Sequence, residues 1–587
     1  MGIFIFSFVT FALLCCCNLP FVLSSSYQEV FEVYQPVSFT SHGAKGCNRD
    51  VLLMNHTFGY SYGVPYVGTY EPPTCEFDTV RINVTVSCRG VQYDRLAIMY
   101  LGDIEVFRTS TAEPTKTGIE YTYIKEMSQY NSLWKEEQKL IFDLANIVND
   151  EYTGSWNVTL TAHFSYENNV KTADSILPIS ARKAASNSSS SFTVPSDNTT
   201  VSYNIPDTVS RAVVAISGCG QSKEEFWYQN VFNQDSEDFS DTVGELYGYS
   251  PFRELQLYID GTLAGVVWPF PIIFTGGVVP GFWHPIVGID AFDLRMPEID
   301  ISPFLPLLQD NKEHSFEIRV SGLEINADGT ATLSGTVESY WIVTGNIFLY
   351  STSEKRDSEV HDWPDIEAPE PKFTVLRNLV QNADGDNETL SYSVLAERTF
   401  SAKSSKYSWS QKLSYSNYGY LNQDGYSQAN TQHTSGVNKI EELGKNPSTY
   451  ETKFSYPLVV NNTYGITTDT FTIDGWLERG LDIESSGGLG ISPYTFVSGP
   501  SNLHTTQSGV ATYISTDSGS SSKGTNIDKF QSTANGVTYS RSVSAANGSV
   551  ISDTQPRTKA HSLSSMSGIG RGSVRSMLGR GPRQASD

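Results

Sequence analysis

The chain has 587 residues and a formal net charge of −24, from 64 Asp and Glu against 40 Lys and Arg. Its length admits roughly three or four domains of about 150 residues each, so a large core can be buried. An acidic surface of this size repels phosphate backbones and anionic lipid, which sets nucleic acid and charged membrane surfaces aside as partners.

Residues 1–26 form an apolar run that ends in small residues, in the manner of a secretory signal peptide. A basic n-region is missing apart from the amino terminus, so an uncleaved signal anchor competes with that reading. No second apolar span of roughly 20 residues follows, and no stable membrane span is expected once the signal is removed. The expected location is the secretory pathway, either extracellular or vacuolar.

Cys15, Cys16 and Cys17 lie inside this segment, which leaves Cys47, Cys75, Cys88 and Cys219 in the mature chain. An even set in a secreted chain favours disulfides. Cys75 and Cys88 flank one alternating strand and are the expected pair; Cys47 with Cys219 follows only by elimination. Eight N-x-S/T triplets, at Asn55, Asn83, Asn157, Asn187, Asn198, Asn387, Asn461 and Asn547, agree with secretion.

Residues 27–172 are expected to form a first β-sandwich domain. Val80, Ile82, Val84 and Val86 alternate around Asn83, and Trp156, Val158, Leu160, Ala162 and Phe164 alternate around Asn157. That alternation places both asparagines on the solvent face. Between these strands, Asp94-Arg95 stands at the mouth of Leu96-Ala97-Ile98-Met99-Tyr100, which turns at Gly102-Asp103 and returns through Val106.

Residues 173–202, with the run Ser188-Ser189-Ser190-Ser191, read as a polar linker or exposed loop. A second β-sandwich domain is expected over 203–352. In it, Leu255, Leu257 and Ile259 alternate before Asp260-Gly261, a strong hairpin signal because both residues tolerate positive φ. Residues 353–372 are charged and Pro-rich and read as another linker. Residues 373–556 form a β-rich C-terminal region, and the basic Gly/Ser/Arg tail at 557–587 reads as disordered. The predicted fold class is therefore all-β, with antiparallel sandwiches.

Three segments can carry chemistry. Asp94 beside Arg95 is either a structural pair at a sheet edge or a water-activating carboxylate oriented by a guanidinium. Glu224-Glu225-Phe226-Trp227-Tyr228 is either a half-buried strand or a sugar subsite, with alternation pairing Glu225 and Trp227 on one face. The run from Trp268 through Trp283 to Asp290 is apolar but broken by Pro and Gly, so it cannot be a regular helix. Such a loop either lines a binding site or caps a core. The histidines show no H-E-x-x-H spacing and no phosphate-binding glycine motif occurs, so neither metal nor cofactor is expected.

Taken together, several segments closely resemble the plant and fungal peptide:N-glycanase A family. They are Tyr93-Asp94-Arg95, Thr109-Ser110-Thr111-Ala112-Glu113-Pro114-Thr115 and Glu225-Phe226-Trp227-Tyr228. Leu263-Ala264-Gly265 through Trp268-Pro269-Phe270-Pro271, Phe274-Thr275-Gly276-Gly277, and Pro285 through Asp293 complete the set. The likeness covers about residues 30–350. The family is more distantly similar to bacterial peptide N-glycosidase F, which implies two jelly-roll sandwiches side by side. That enzyme's W-D-R-Y-A motif resembles Tyr93-Asp94-Arg95-Leu96-Ala97, and its A-E-W-C-F motif more loosely resembles Glu225-Phe226-Trp227-Tyr228. Its other glutamate falls near Asp143–Asn146 here, where no Glu aligns.

The resemblance implies hydrolysis of the amide between asparagine and the innermost N-acetylglucosamine of an N-glycopeptide or glycoprotein. The glycan leaves as a glycosylamine and aspartate remains. It assigns Asp94 and Glu225 as catalytic, with Arg95, Glu113, Glu224, Trp227, Trp268 and Trp283 as substrate-binding candidates. A non-catalytic glycan-binding sandwich and a glycoside hydrolase using the same carboxylates are the rival readings.

Overall fold

Alternating side chains build the first sandwich. Along Thr79–Arg89, Val80, Ile82, Val84, Val86 and Cys88 are all buried, and Trp156, Val158, Leu160, Ala162 and Phe164 of Ser155–Ser165 meet them in one core. In the computed structural model, which describes residues 27–35, 46–167, 171–353, 363–444, 447–488, 501–534 and 536–555, two sheets enclose that core. The expected signal peptide and basic tail lie outside the described residues.

One sheet runs, in hydrogen-bonded order, Gln28–Glu29, Ile119–Glu126, Thr79–Arg89, Ser155–Ser165, Asn48–Phe58. The other runs Tyr66–Tyr70, Gln138–Leu144, Leu96–Leu101, Ile104–Ser110. Apart from the short first strand, which pairs in parallel, and the hairpin Leu96–Leu101/Ile104–Ser110 within one sheet, the chain passes from sheet to sheet along a jelly-roll path.

The second sandwich repeats that path. Ser175–Ile179, Tyr340–Ser351, Val209–Gln221 and Glu298–Asp300 form one sheet, with Phe192–Val194 also on Tyr340–Ser351. Val201–Tyr203, His314–Ile325, Glu254–Ile259 and Thr262–Val267 form its partner, and Ala331–Ser334 adds to His314–Ile325. The Asp260-Gly261 turn has φ of 48° and 75°, the positive values its residue types accommodate.

The expected linker over 173–202 is instead part of this sandwich, supplying its first three strands. Its serines are polar because they bond across to the first sandwich. Ser189 Oγ lies 2.9 Å from the Tyr100 hydroxyl, and Ser190 Oγ donates to Asp103 Oδ1 at 2.8 Å. Of the linker expected at 353–372, residues 354–362 lie outside the described residues, and Asp365–Glu367 adds to the strand Asn387–Lys403.

Among the described residues, the C-terminal region is one eleven-stranded sheet. From Asn387–Lys403 to Gly519–Ala534 its strands are 16 to 19 residues long, well beyond the usual span of about 3–10. Tyr407, Trp409, Leu413 and Tyr415 point inward and share the second sandwich's core. Gln411 reinforces the seam, accepting from the Val266 N–H and donating to the Val266 carbonyl, both at 2.9 Å. No helix among the described residues is long and apolar enough to cross a membrane.

Cys47 bonds to Cys75, not Cys75 to Cys88. Cys88 belongs to the inward set of its strand and is fully buried, whereas Cys47 lies beside the loop holding Cys75, its N–H donating to the Glu76 carbonyl at 3.1 Å. Cys88 and Cys219 are both free and buried, so the Cys47–Cys219 pairing fails as well.

Candidate active site

Asp94 lies just before strand Leu96–Leu101, in the connection that follows Thr79–Arg89, at the end of the first sandwich that faces the second. Its Oδ2 accepts from the Gly276 N–H at 3.0 Å, across the sandwich boundary. Glu113 follows strand Ile104–Ser110. Its N–H donates to Thr275 Oγ1 at 2.8 Å, and its carbonyl lies 2.9 Å from His284 Nε2. Gly276 therefore faces two carboxylates at once. A Cβ on it would stand 2.8 Å from Glu113 Oε1 and 3.1 Å from Asp94 Oδ1.

Glu225 completes the group from the second sandwich. The negative field of Asp94 reaches Glu225, so the two carboxyls lie near each other. The expected strand over Glu224–Tyr228 does not form, because regular pairing ends at Gln221 and short 3-10 turns cover Ser222–Glu224 and Trp227–Gln229. A Cβ on Gly220 would lie 2.3 Å from the Glu224 carbonyl oxygen, so only glycine lets the chain fold back here.

Electrostatics separates the three acids. Burial, then the negative fields of Asp94 and Glu225, pushes the Glu113 carboxyl up to about 8. Burial and Asp94 push Glu225 up to about 8 as well. Burial also raises Asp94, but the Gly276 N–H and the Arg95 guanidinium oppose it. Arg95 is held in place by its Nη2 donating to Gln92 Oε1 at 2.5 Å, and Gln92 is anchored on the Ile147 and Gly154 carbonyls. The site thus holds three buried acids raised above their ordinary values, and at Asp94 a backbone N–H and a guanidinium work against that rise.

Four expected binding residues do not join the site. Glu224 is fully buried, bridging Arg253 at 2.5 Å and accepting from Trp341 Nε1 at 2.7 Å and the Glu338 N–H at 2.8 Å. Trp227 packs on Trp341 and Tyr228 inside the core. Trp268 donates to Glu254 Oε2 at 2.8 Å under the C-terminal sheet. Trp283 is buried and donates to the Gly277 carbonyl at 2.7 Å, so it props the Thr275–Gly277 turn from behind. A buried indole exposes no face to a sugar ring. Asn146 and Asp143 also stay outside. Asn146 donates to the Phe58 and Gly154 carbonyls, and Asp143 lies on a strand paired with Ile98.

The sequence profile described as peptide N-acetyl-beta-D-glucosaminyl asparaginase amidase A matches residues 36–363, and a profile for its C-terminal domain matches residues 391–458. The chain belongs to this family. A Prunus dulcis protein, peptide-N4-(N-acetyl-beta-glucosaminyl)asparagine amidase A, is 33% identical over 354 residues, which cover 56% of this chain and 58% of the relative. Among solved structures, recombinant peptide:N-glycanase F is matched over 52% of this chain and 96% of its own, at 12% identity and a TM-score of 0.33. PNGF-II is matched over 52% and 66%, at 12% identity and 0.35. At those scores the likeness decides nothing further.

The family member's irregular run from Trp268 to Asp290 does two things in the structure. Its Thr275–Gly277 turn walls the carboxylates, while its remainder is a seam among all three β units. Phe31 N–H donates to the Pro285 carbonyl, Gln507 to the Val287 carbonyl and Asn526 to the Phe282 carbonyl. Gly276 and His284 carried no functional signal of their own in the sequence. The aromatics next to Asp94 and Glu225 in the chain, Tyr93 and Phe226, are not fully buried, unlike Trp227, Trp268 and Trp283. Tyr93 is 54% exposed, with its ring 5.5 Å from that of Tyr152, and Phe226 touches the Gly277 position.

Of the glycosylation candidates, Asn55, Asn157, Asn187, Asn198 and Asn547 are exposed, whereas Asn83, Asn387 and Asn461 are half-buried. Asn83 stands on the face that alternation gives it but is only partly exposed. Its strand is central, between Thr161 and Ile124, and its amide oxygen is shielded.

Proposed function

We propose that this chain is an amidase that hydrolyses the bond between asparagine and the innermost N-acetylglucosamine of N-glycopeptides and glycoproteins. The observation that carries the reading is the meeting of Asp94, Glu113 and Glu225, from two sandwiches, around the Thr275–Gly277 turn. The Prunus dulcis relative's name points to the same bond.

Asp94, as the anion, takes a proton from the water that attacks the amide carbonyl. The Gly276 N–H and the Arg95 guanidinium favour the ionised form of Asp94 against the burial that raises it. Glu225, carrying its proton, positions that water or the sugar. Glu113 is the second protonated carboxyl and supplies the proton that the departing nitrogen needs as the carbon–nitrogen bond breaks. Oxygen enters the side chain as aspartate, and the glycan departs as a glycosylamine that decays to free glycan and ammonia. The two raised acids suit an acidic compartment, and the Cys47–Cys75 bond suits an oxidising one, so the proposed location is the secretory pathway.

A defined glycopeptide incubated with the purified chain tests the reaction. Ammonia release with conversion of Asn to Asp supports it. A peptide still bearing N-acetylglucosamine identifies a glycoside hydrolase, and unaltered glycopeptide held in complex identifies a binding protein.

A further inference from the structure

The C-terminal sheet places an aromatic row beside the carboxylates. Leu458, Val460 and Asn462 are buried on its inner face, and Tyr464 continues that face. Phe471 and Tyr513 occupy the same face on the next two strands. The Tyr464 and Phe471 rings stack with centroids 6.1 Å apart, and Phe471 meets Tyr513 at 6.5 Å. All three rings are only half-buried.

The loop that carries the active-site turn fixes where this row stands. Three residues beyond Gly276, Val279 Cγ2 comes within 2.6 Å of where a Cβ on Gly475 would sit. Gly475 pairs with Ala511, and Tyr513 is two residues farther along that strand, about 7 Å away. On the opposite side, Tyr513 and Glu113 both lie near enough to the Tyr93 hydroxyl to help raise its pKa, after burial and Tyr152. A relay of neutral amides joins the row to the turn after Glu225. Gln229 Nε2 donates to Asn462 Oδ1 at 2.9 Å, and Asn462 Nδ2 donates to the Tyr464 hydroxyl at 2.8 Å.

We propose that Tyr464, Phe471 and Tyr513 form a subsite for the sugars beyond the innermost N-acetylglucosamine, so that the C-terminal sheet is part of the substrate cleft. This rests on the amidase reading. Half-buried rings interleaved with uncharged amides suit the apolar faces and neutral hydroxyls of pyranose rings. They offer no charge for a peptide's ionised side chains. Tyr513 and Phe471 are positioning residues here, since they touch sugars remote from the bond that breaks.

The test uses the full chain and two glycopeptides of identical sequence, one bearing a complete core glycan and one a single N-acetylglucosamine. Tyr513→Ala and Phe471→Ala should each raise KM about tenfold for the first substrate, the loss of one stacking contact. They should leave kcat and the KM of the second substrate unchanged, and Tyr513→Phe should retain wild-type KM. Equal effects on both substrates would show that the row supports the fold or binds peptide, and no effect on either would remove the subsite; both overturn the proposal. A wild type that converts neither substrate defeats the amidase reading instead. In that case, binding of the free core oligosaccharide to wild type but not to Tyr513→Ala still upholds the subsite, and equal or absent binding overturns it.

Discussion

The Gly276 N–H donates to Asp94 Oδ2 at 3.0 Å, so a turn of the second sandwich holds the carboxylate of the first. Together with the Glu113 N–H donating to Thr275 Oγ1, this bond joins the two β units at the point where the chemistry is proposed. It also stabilises the ionised form of a carboxyl that burial would otherwise neutralise.

Adding one methyl at this point should separate activity from stability. In Gly276→Ala the new Cβ meets the ends of two side chains, Glu113 at 2.8 Å and Asp94 at 3.1 Å, and must displace both. Steady-state kinetics should give at least about a tenfold loss in kcat/KM, as expected when catalytic groups move by fractions of an ångström. The melting temperature should shift by only a few degrees. An unimpaired enzyme would show that the two carboxylates do not act together.

The raised acids predict an acidic optimum. Glu113 and Glu225 lose their protons near pH 8, so activity should fall as pH rises through that value. The acid limb follows protonation of Asp94 and should lie above its ordinary 3.8. Stability runs the same way. With folded values near 8 for these two and for Asp528, the native state holds protons that the unfolded chain has released. The stabilisation is complete below the unfolded values near 4 and is lost as pH rises through 8. Melting curves should therefore move to higher temperature from about pH 8 down to about pH 5, and a shift in the opposite direction contradicts the assignment.

Glu224 and Glu225 are neighbours with separate fates, and substitution should tell them apart. Glu224→Gln leaves Arg253 buried without its counter-charge and should cost about 3 kcal/mol in denaturant unfolding. Its kcat should stay near wild type at temperatures where the chain is folded. Glu225→Gln should leave stability at acidic pH nearly unchanged and lower kcat.

The cysteine assignment is open to direct mapping. Proteolysis without reduction should yield a peptide pair joining Cys47 to Cys75, with Cys88 and Cys219 alkylated only after unfolding. Cys75→Ser should lose roughly 3 kcal/mol, the value expected for opening a loop of this length. Recovery of a Cys75–Cys88 pair would contradict the assignment.

Short-range patterns were the legible part of this fold. Alternation at Val80–Cys88 and Trp156–Phe164, and the Asp260-Gly261 turn, depend on residues within one strand or hairpin, so the sequence displays them directly. Pairing partners do not appear in that record. Ser189 and Ser190 read as linker because their partners, Tyr100 and Asp103, lie more than 80 residues away. The tryptophans read as sugar platforms because an indole beside a carboxylate looks the same whether a sheet covers it or not. Trp268 is covered by Tyr415 of the C-terminal sheet, and Trp227 by Trp341. The motifs around Asp94 and Glu225 nominated them as candidates, whereas the closeness of Glu113 to Asp94 required the Thr275–Gly277 turn to be in place.

The most direct test is a single-turnover reaction with an N-glycopeptide in water enriched in oxygen-18, analysed by mass spectrometry. Wild type should yield peptide with aspartate at the former glycosylation position, one heavy oxygen in that side chain, and one equivalent of ammonia. Asp94→Asn, folded by circular dichroism, should yield none. Heavy oxygen in the sugar instead of the peptide, or full turnover by Asp94→Asn, would contradict the account.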